Sequence, residues 1–372
     1  MRFNNIFKAL CLDALIPLCT STPLAKREPS CTDIVIPVTI TANNVDLTST
    51  QVPQPIVIVT GTYNIAGRYC EPENQISGHH DTLQVLVHGI SYTRDYWSGD
   101  GPPGQGFHVD QYSWVSTASE AGYPTLAIDR LGNGISDHPD PLQIVQTPAE
   151  VEVLHQIIAQ AKSGASPLPR AFDKIILAGH SYGSVVANVL VAEYPDNVNA
   201  LILTGYSSTY NFVIPGMDFS SIIAPAATED PGRFESLASE YLELTSQPGF
   251  DLMFYFPGGY DPQLEAQDFA QRGTFTTGEL STAGNTGSIA SGYKGPVFVV
   301  TGQHDACFCN PQGLPSDEID CTSFLADTQE LFPAASSFDA YIVPDSGHCW
   351  QLHFAATTAF AVVQTWIEAH GF

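Results

Sequence analysis

The sequence predicts an α/β fold with a mostly parallel sheet covered by helices on both faces. Three observations carry this. Strand-length runs such as residues 82–87, 174–178 and 296–302 are almost continuously apolar, as strands buried on both faces are. Helix-forming stretches separate them along the chain. One of these junctions, between the run at 174–178 and the stretch at 184–194, carries the pentapeptide Gly179-His180-Ser181-Tyr182-Gly183, a strand-to-helix turn too sharp for side chains at its glycine positions.

The elements follow in order. Residues 34–41 and 55–63 read as two early strands, 82–87 as the third and 123–129 as the fourth. Thr147-Pro148-Ala149-Glu150 has the form of a capping box with proline in the first turn, and predicts a helix to about Ser163. Runs at 174–178, 199–205, 296–302 and 338–343 supply the remaining strands, and a last helix spans about 353–370. The interval 206–295 breaks the alternation. It shows no strand signal, and residues 209–295 hold eight Phe and five Tyr with three basic residues against eleven acidic ones. A mainly helical insertion that lends an apolar wall to a pocket is the expectation.

The chain has 372 residues, 44% hydrophobic and 10% aromatic, enough for one large α/β domain with an insertion. Thirteen Lys and Arg against 39 Asp and Glu leave a net charge of −26, which excludes nucleic-acid and anionic-membrane partners and disfavours anionic substrates. A small, neutral substrate is expected, with no cofactor.

Arg2, Lys8 and the short apolar run at 9–19 read as an export signal, followed by the dibasic pair Lys26-Arg27. Residues 1–27 are therefore expected to be signal peptide and short propeptide, and the mature chain to be extracellular, without a stable membrane anchor. No N-glycosylation sequon occurs. Six cysteines remain beyond the signal: Cys31, Cys70, Cys307, Cys309, Cys321 and Cys349. An even number in an exported chain predicts disulfides. Chain order pairs Cys31 with Cys70 and leaves the other four to pair among themselves. A metal site is not expected, because Cys307-Phe308-Cys309 lacks C-x-x-C spacing, and His79-His80-Asp81 reads as a surface turn.

Ser181 is the candidate nucleophile. A serine hydroxyl needs an imidazole to take its proton and a carboxylate to orient that imidazole. Asp305 lies just beyond the carboxyl end of the strand at 296–302, and His348 just beyond that at 338–343; Asp317 and Asp320 are rival acids, His304 and His353 rival bases. Oxyanion donors are expected from the N–H of Tyr182, next after the serine, and from that of Ile90, which follows the turn His88-Gly89.

These motifs, Leu86-Val87-His88-Gly89, the run Asp129 to Ser136, Gly179 to Gly183, Gly302-Gln303-His304-Asp305 and Gly347-His348, resemble in order the landmarks of the α/β-hydrolase superfamily. The resemblance covers about residue 82 to the carboxyl terminus. It implies an eight-stranded, mostly parallel sheet with a helical cap inserted after the sixth strand, so that residues 28–208 and 296–372 form the core and 209–295 the cap or lid. The segment Gly67-Arg68-Tyr69-Cys70-Glu71-Pro72 and the dibasic pair resemble secreted fungal members, of the esterase and lipase kind. Cys307 and Cys349, close to Asp305 and His348, are expected to bridge the acid and base loops.

The function expected is hydrolysis of carboxylic esters of neutral apolar or aromatic substrates through an acyl-serine. A prolyl-type aminopeptidase, an acyltransferase or lactone-forming or lactone-opening enzyme of secondary metabolism, and a binding protein on the same fold are the alternatives. Serine at the elbow disfavours the branches that use aspartate there.

Overall fold

A computed structural model describes residues 29–209, 218–284 and 287–372. The expected signal and propeptide, residues 1–27, lie outside the described residues. Eight strands form one sheet: β1 (Ser30–Val45), β2 (Ile56–Glu71), β3 (Thr82–Val87), β4 (Thr125–Ile128), β5 (Lys174–His180), β6 (Ala200–Thr204), β10 (Val297–Gly302) and β11 (Phe338–Val343), in the order β1-β2-β4-β3-β5-β6-β10-β11. β1–β2 and β2–β4 pair antiparallel, and the six strands from β4 to β11 in this order run parallel. This is the predicted eight-stranded, mostly parallel sheet. Strands β3, β4 and β6 are buried at every residue, which is why they read as unbroken apolar runs.

Parallel register puts the strand ends side by side. Val87 aligns with Gly179, His180 with Thr204, and Gly302 with Val343. The loops that leave these ends therefore converge on one rim, where open α/β sheets hold their ligands.

The early strands are longer than their sequence signal. β2 continues through Asn64 and Arg68 to Glu71, because Gly67 to Cys70 must pair with Ile128 to Thr125 to join the β1–β2 hairpin to the sheet. Arg68 is buried there and bonds Asp33 and Asp95. Cys31 and Cys70 face each other in the register and are bridged.

The main helices are α1 (Trp114–Glu120), α2 (Thr147–Ser163), α3 (Tyr182–Glu193), α4 (Gln247–Phe254), α5 (Pro262–Gln271), α6 (Thr277–Thr282) and α7 (Ala356–Ala369), with a six-residue helix at Thr322–Asp327 and shorter helical turns between. The predicted capping box at α2 does not form. Gln146 is the N-cap, while the side chains of Thr147 and Glu150 turn inward, to Tyr182 and Arg130. Helix α6 has a complete capping box instead, Thr276 with Glu279.

Between β6 and β10 the chain is not simply helical. Three short strands, β7 (Ile223–Pro225), β8 (Tyr241–Leu244) and β9 (Phe275–Thr276), form an antiparallel sheet in the order β7-β8-β9. At two to four residues each, they are too short to show alternation.

Candidate active site

Ser181 stands at the β5–α3 turn with φ 55° and ψ −121°, a backbone conformation that costs an L-residue about 1–3 kcal/mol. Its own N–H donates to Thr204 O at 2.9 Å, and its carbonyl accepts from Ser184 and Val185, so the turn is locked from both sides. A Cβ on Gly179 would lie 2.5 Å from Gly183 O, and one on Gly183 would overlap Val87 O. No residue but glycine fits either position. Beneath the turn, His180 is fully buried, stacked on Tyr96 with 4.5 Å between ring centroids, and its Nδ1 bonds Thr204 Oγ1. Burial first, then the rings of His348 and His88, push its pKa well below the usual value, so it stays neutral.

Asp305 and His348 meet. His348 Nδ1 lies 2.8 Å from Asp305 Oδ2, and Asp305 Oδ1 accepts from the N–H groups of Cys307 (2.8 Å) and Phe308 (2.9 Å). Three donors on one buried carboxylate fix its position. The imidazole ring of His348 lies 4.9 Å from that of His180, hence beside the serine turn, with Phe254 and Phe308 stacked against it. His348 Nε2 is buried and has no hydrogen-bond partner among the described residues, and Ser181 Oγ is not bonded to it. The acid and the imidazole are thus joined, and the serine hydroxyl is not bonded to them.

The rival residues are engaged elsewhere. His304 stacks on Phe256. His353 accepts from the N–H of Phe256 and of Gly347 and donates to Cys349 O, so it props the His348 loop, and burial lowers its pKa to about 4. Asp320 accepts from the N–H and the hydroxyl of Thr322, and Asp317 is exposed in a helical turn.

The N–H groups of Ile90 and Tyr182 donate to no backbone carbonyl among the described residues. Gly89 lets the Ile90 turn approach the serine: a Cβ there would stand 2.8 Å from Ser181 Cβ. His88 shapes this turn. Its Nε2 accepts from Arg130 N–H at 3.1 Å and its Nδ1 donates to Gly89 O at 2.8 Å, which fixes the neutral tautomer.

Sequence reasoning passed over Arg130, except as part of a motif. Its guanidinium is buried, donates to His88 O (3.0 Å) and Gly89 O (3.2 Å), and pairs with Glu150 of α2 (2.5 Å) and with Glu279 of α6. It also lies over the Tyr182 ring at 4.7 Å. One cation thus braces both expected oxyanion donors and ties the β6–β10 segment to the core. Burial, opposed by Arg130, still pushes the Glu150 carboxyl up to about 8. A lone arginine directly after an apolar strand was the available signal.

A narrow cavity opens over Ser181. It holds about 490 Å³ of space between atoms, counting its mouth. Ile90 and Val185 form its core side, Met253, Phe254 and Leu280 the other, and Glu279 is its one charged side chain among the described residues. Both oxygens of Glu279 are engaged, by Arg130 and by the N–H of Thr276.

The cysteines depart from expectation in one respect. Cys309 bridges to Cys321, and Cys307 and Cys349 are free and buried. Although both neighbour the Asp305–His348 pair in sequence, Cys307 Sγ turns toward Met253 O and the cavity, while Cys349 Sγ turns toward Tyr92 and His180. Among the described residues, no helix is long and apolar enough to cross a membrane.

An eight-stranded sheet of this order, with a strained serine at the β5–α3 turn, defines a class, and comparison with known proteins agrees. Residues 84–360 match the model of the alpha/beta hydrolase family. The chain belongs to that family and is a hydrolase by that membership. No curated protein matches its sequence. Among solved structures it is similar to a thermophilic esterase from Thermogutta terrifontis (TM-score 0.53, 14% identity, covering 90% of this chain and 99% of that one). It is also similar to the peroxisomal alpha-beta-hydrolase Lpx1 from Saccharomyces cerevisiae (TM-score 0.52, 12% identity, covering 92% and 90%). At such identities the likeness is one of fold.

Proposed function

We propose that the protein is a secreted carboxylic ester hydrolase acting on small neutral substrates with an apolar or aromatic acyl group, through Ser181, His348 and Asp305. The observation that carries this is the buried Asp305–His348 pair beside a strained serine that faces an apolar cavity. In this mechanism Ser181 Oγ swings toward His348 Nε2, passes its proton there and attacks the ester carbonyl. The N–H groups of Ile90 and Tyr182 hold the oxyanion, and Asp305 balances the imidazolium. The C–O bond then breaks, the alcohol leaves with the proton from His348, and water, activated by the same nitrogen, releases the acid.

Residues 209–295 serve as the cap, resting on the core residues 28–208 and 296–372, and residues 1–27 are removed on export. Two disulfides and a net charge of −26 support an extracellular, acidic setting. The aminopeptidase reading needs a free carboxylate in the cavity for a substrate ammonium, and Glu279 already serves Arg130.

A fluorophosphonate probe should label the folded protein at Ser181, and Ser181→Ala should abolish the label. Nitrophenyl esters should be hydrolysed and aminoacyl nitroanilides left intact. Labelling that survives Ser181→Ala would reject the mechanism.

A further inference from the structure

Cys307 is the feature that hydrolysis leaves unused. One carboxylate oxygen of Asp305, one ring nitrogen of His348 and Sγ of Cys307 all lie within 4.8 Å of one another, the one such group of three among the described residues. All three side chains are buried, and the thiol faces the cavity over Ser181. His348 Nε2 has no partner in this wall, and the two disulfides leave Cys307 reduced.

We propose that Asp305, Cys307 and His348 form an inhibitory site for a thiophilic divalent cation, Zn²⁺ or Cd²⁺, which enters by the substrate cavity and immobilises the imidazole. The donor set is one that zinc accepts, with metal–ligand bonds of about 2.0–2.3 Å. Tetrahedral neighbours at that reach stand roughly 3.3–3.8 Å apart, so side-chain shifts of about 1 Å or less, which also part the His348–Asp305 hydrogen bond where Nδ1 serves, complete three corners and leave the fourth open to the cavity. On binding, the thiol releases its proton to solvent. One carboxylate, one thiolate and a dication then sum to zero charge, which suits a buried, apolar site. The ring nitrogen that serves the metal is withdrawn from proton transfer, either directly or by separating His348 from Asp305.

The inhibition rests on the proposed ester hydrolysis; the binding does not. The mature protein, without residues 1–27 and their two cysteines, is freed of metals and titrated with Cd²⁺ while its ultraviolet spectrum is followed, and with Zn²⁺ while nitrophenyl-ester hydrolysis is followed. One equivalent of Cd²⁺ should raise a thiolate-to-cadmium charge-transfer band. Zn²⁺ should suppress hydrolysis at least about tenfold, and a chelator should restore it. Cys307→Ser should lose the band, and the zinc concentration for half-inhibition, measured against its own zinc-free rate, should rise beyond the ~10–100-fold that losing a mere outer-shell partner costs. Cd²⁺ uptake with no such band, as imidazole and carboxylate on the surface would give, overturns the site, as does a band that survives in Cys307→Ser. The spectrum of the unmutated protein decides even if the variant fails to fold. A band in a protein that cleaves no ester would keep the site and reject the hydrolase reading.

Discussion

The two walls of the cavity are built on different principles. The core wall holds the polar parts, Ser181, the turn at Ile90 and the nearby His348–Asp305 pair, all on loops that leave aligned strand ends. The other wall, the proposed cap, contributes Met253, Phe254 and Leu280, and Glu279, its one charged group among the described residues, is spent on Arg130 of the core. In the proposed mechanism chemistry therefore sits on the core layer and substrate choice on the inserted one. They meet at two buried polar seams. One is the Arg130–Glu150–Glu279 cluster; at the other, Asp100 O accepts from Gln267 of α5, and Asp268 of the same helix accepts from Tyr92 (3.0 Å) and Tyr255 (2.5 Å).

The division is broken most directly from the core side. Ser181→Ala and His348→Ala should each lower kcat on a nitrophenyl ester by about 10⁴-fold or more, as removal of a triad member does; Ser181→Ala should leave the melting temperature near its starting value, whereas His348→Ala should lower it, because it empties a buried, stacked position and leaves the Asp305 carboxylate without its imidazole. Steady-state rates and calorimetry on the same samples check it. A loss of only tenfold would place the chemistry elsewhere.

Arg130→Met tests the first seam. It leaves Glu150 and Glu279 facing each other without a cation, and breaking a buried pair in this way costs about 3–5 kcal/mol. Denaturant unfolding should show a loss of that size, and kcat should fall along with it because His88 O and Gly89 O lose their brace. If stability drops and kcat per folded molecule does not, Arg130 only ties the layers together.

How much of this was legible follows from sequence distance. The serine turn is local: strand, pentapeptide and helix adjoin, so Ser181 could be read from them. Asp305 and His348 are 43 residues apart, yet each directly follows a strand, and neighbouring parallel strands bring such positions together. The Arg130–Glu279 contact spans 149 residues and lands in a segment whose strands are too short for periodicity, so nothing local announced it. Side-chain direction was the other blind spot. Thr147 and Glu150 had the spacing of a cap but turn inward, and Cys307 and Cys349 flank one histidine pair yet face apart.

The second seam is sharpened by pH. Burial, then the charge of Asp95, pushes the Asp100 carboxyl up to about 7, and burial with Asp100 nearby raises Asp268 well above the usual range. A carboxyl raised on folding stabilises while it is protonated. Asp100 thus contributes fully below its unfolded value near 3.8 and loses that contribution as pH climbs through about 7, at up to ~1.4 kcal/mol per pH unit. Asp100→Asn is neutral throughout and tolerates the φ of 54° at this position. Its melting temperature relative to the unmodified protein should rise between pH 5 and pH 8. His353, lowered to about 4, acts in the opposite sense, its contribution fading as pH falls from about 6.5 to 4, but it is common to both proteins and cancels in the difference. A constant offset across that range would mean that Asp100 is ionised in the folded state.

The smallest effect should come from the cap wall itself. Leu280 is half-buried on α6 and lines the cavity one residue beyond Glu279, whose bond to Arg130 fixes the helix over Ser181. Leu280→Phe adds bulk to a space already narrow, on the wall that faces Ser181. Each methylene of substrate excluded is worth about 0.8 kcal/mol of transfer energy, and two of them about tenfold in kcat/KM. Long-chain nitrophenyl esters should therefore lose about tenfold in kcat/KM relative to the acetate ester, with kcat on the acetate held near its starting value. Equal losses on every chain length would show that the substitution disturbs the oxyanion turn through Glu279 and Arg130, and that choice and chemistry are less separate than the two walls imply.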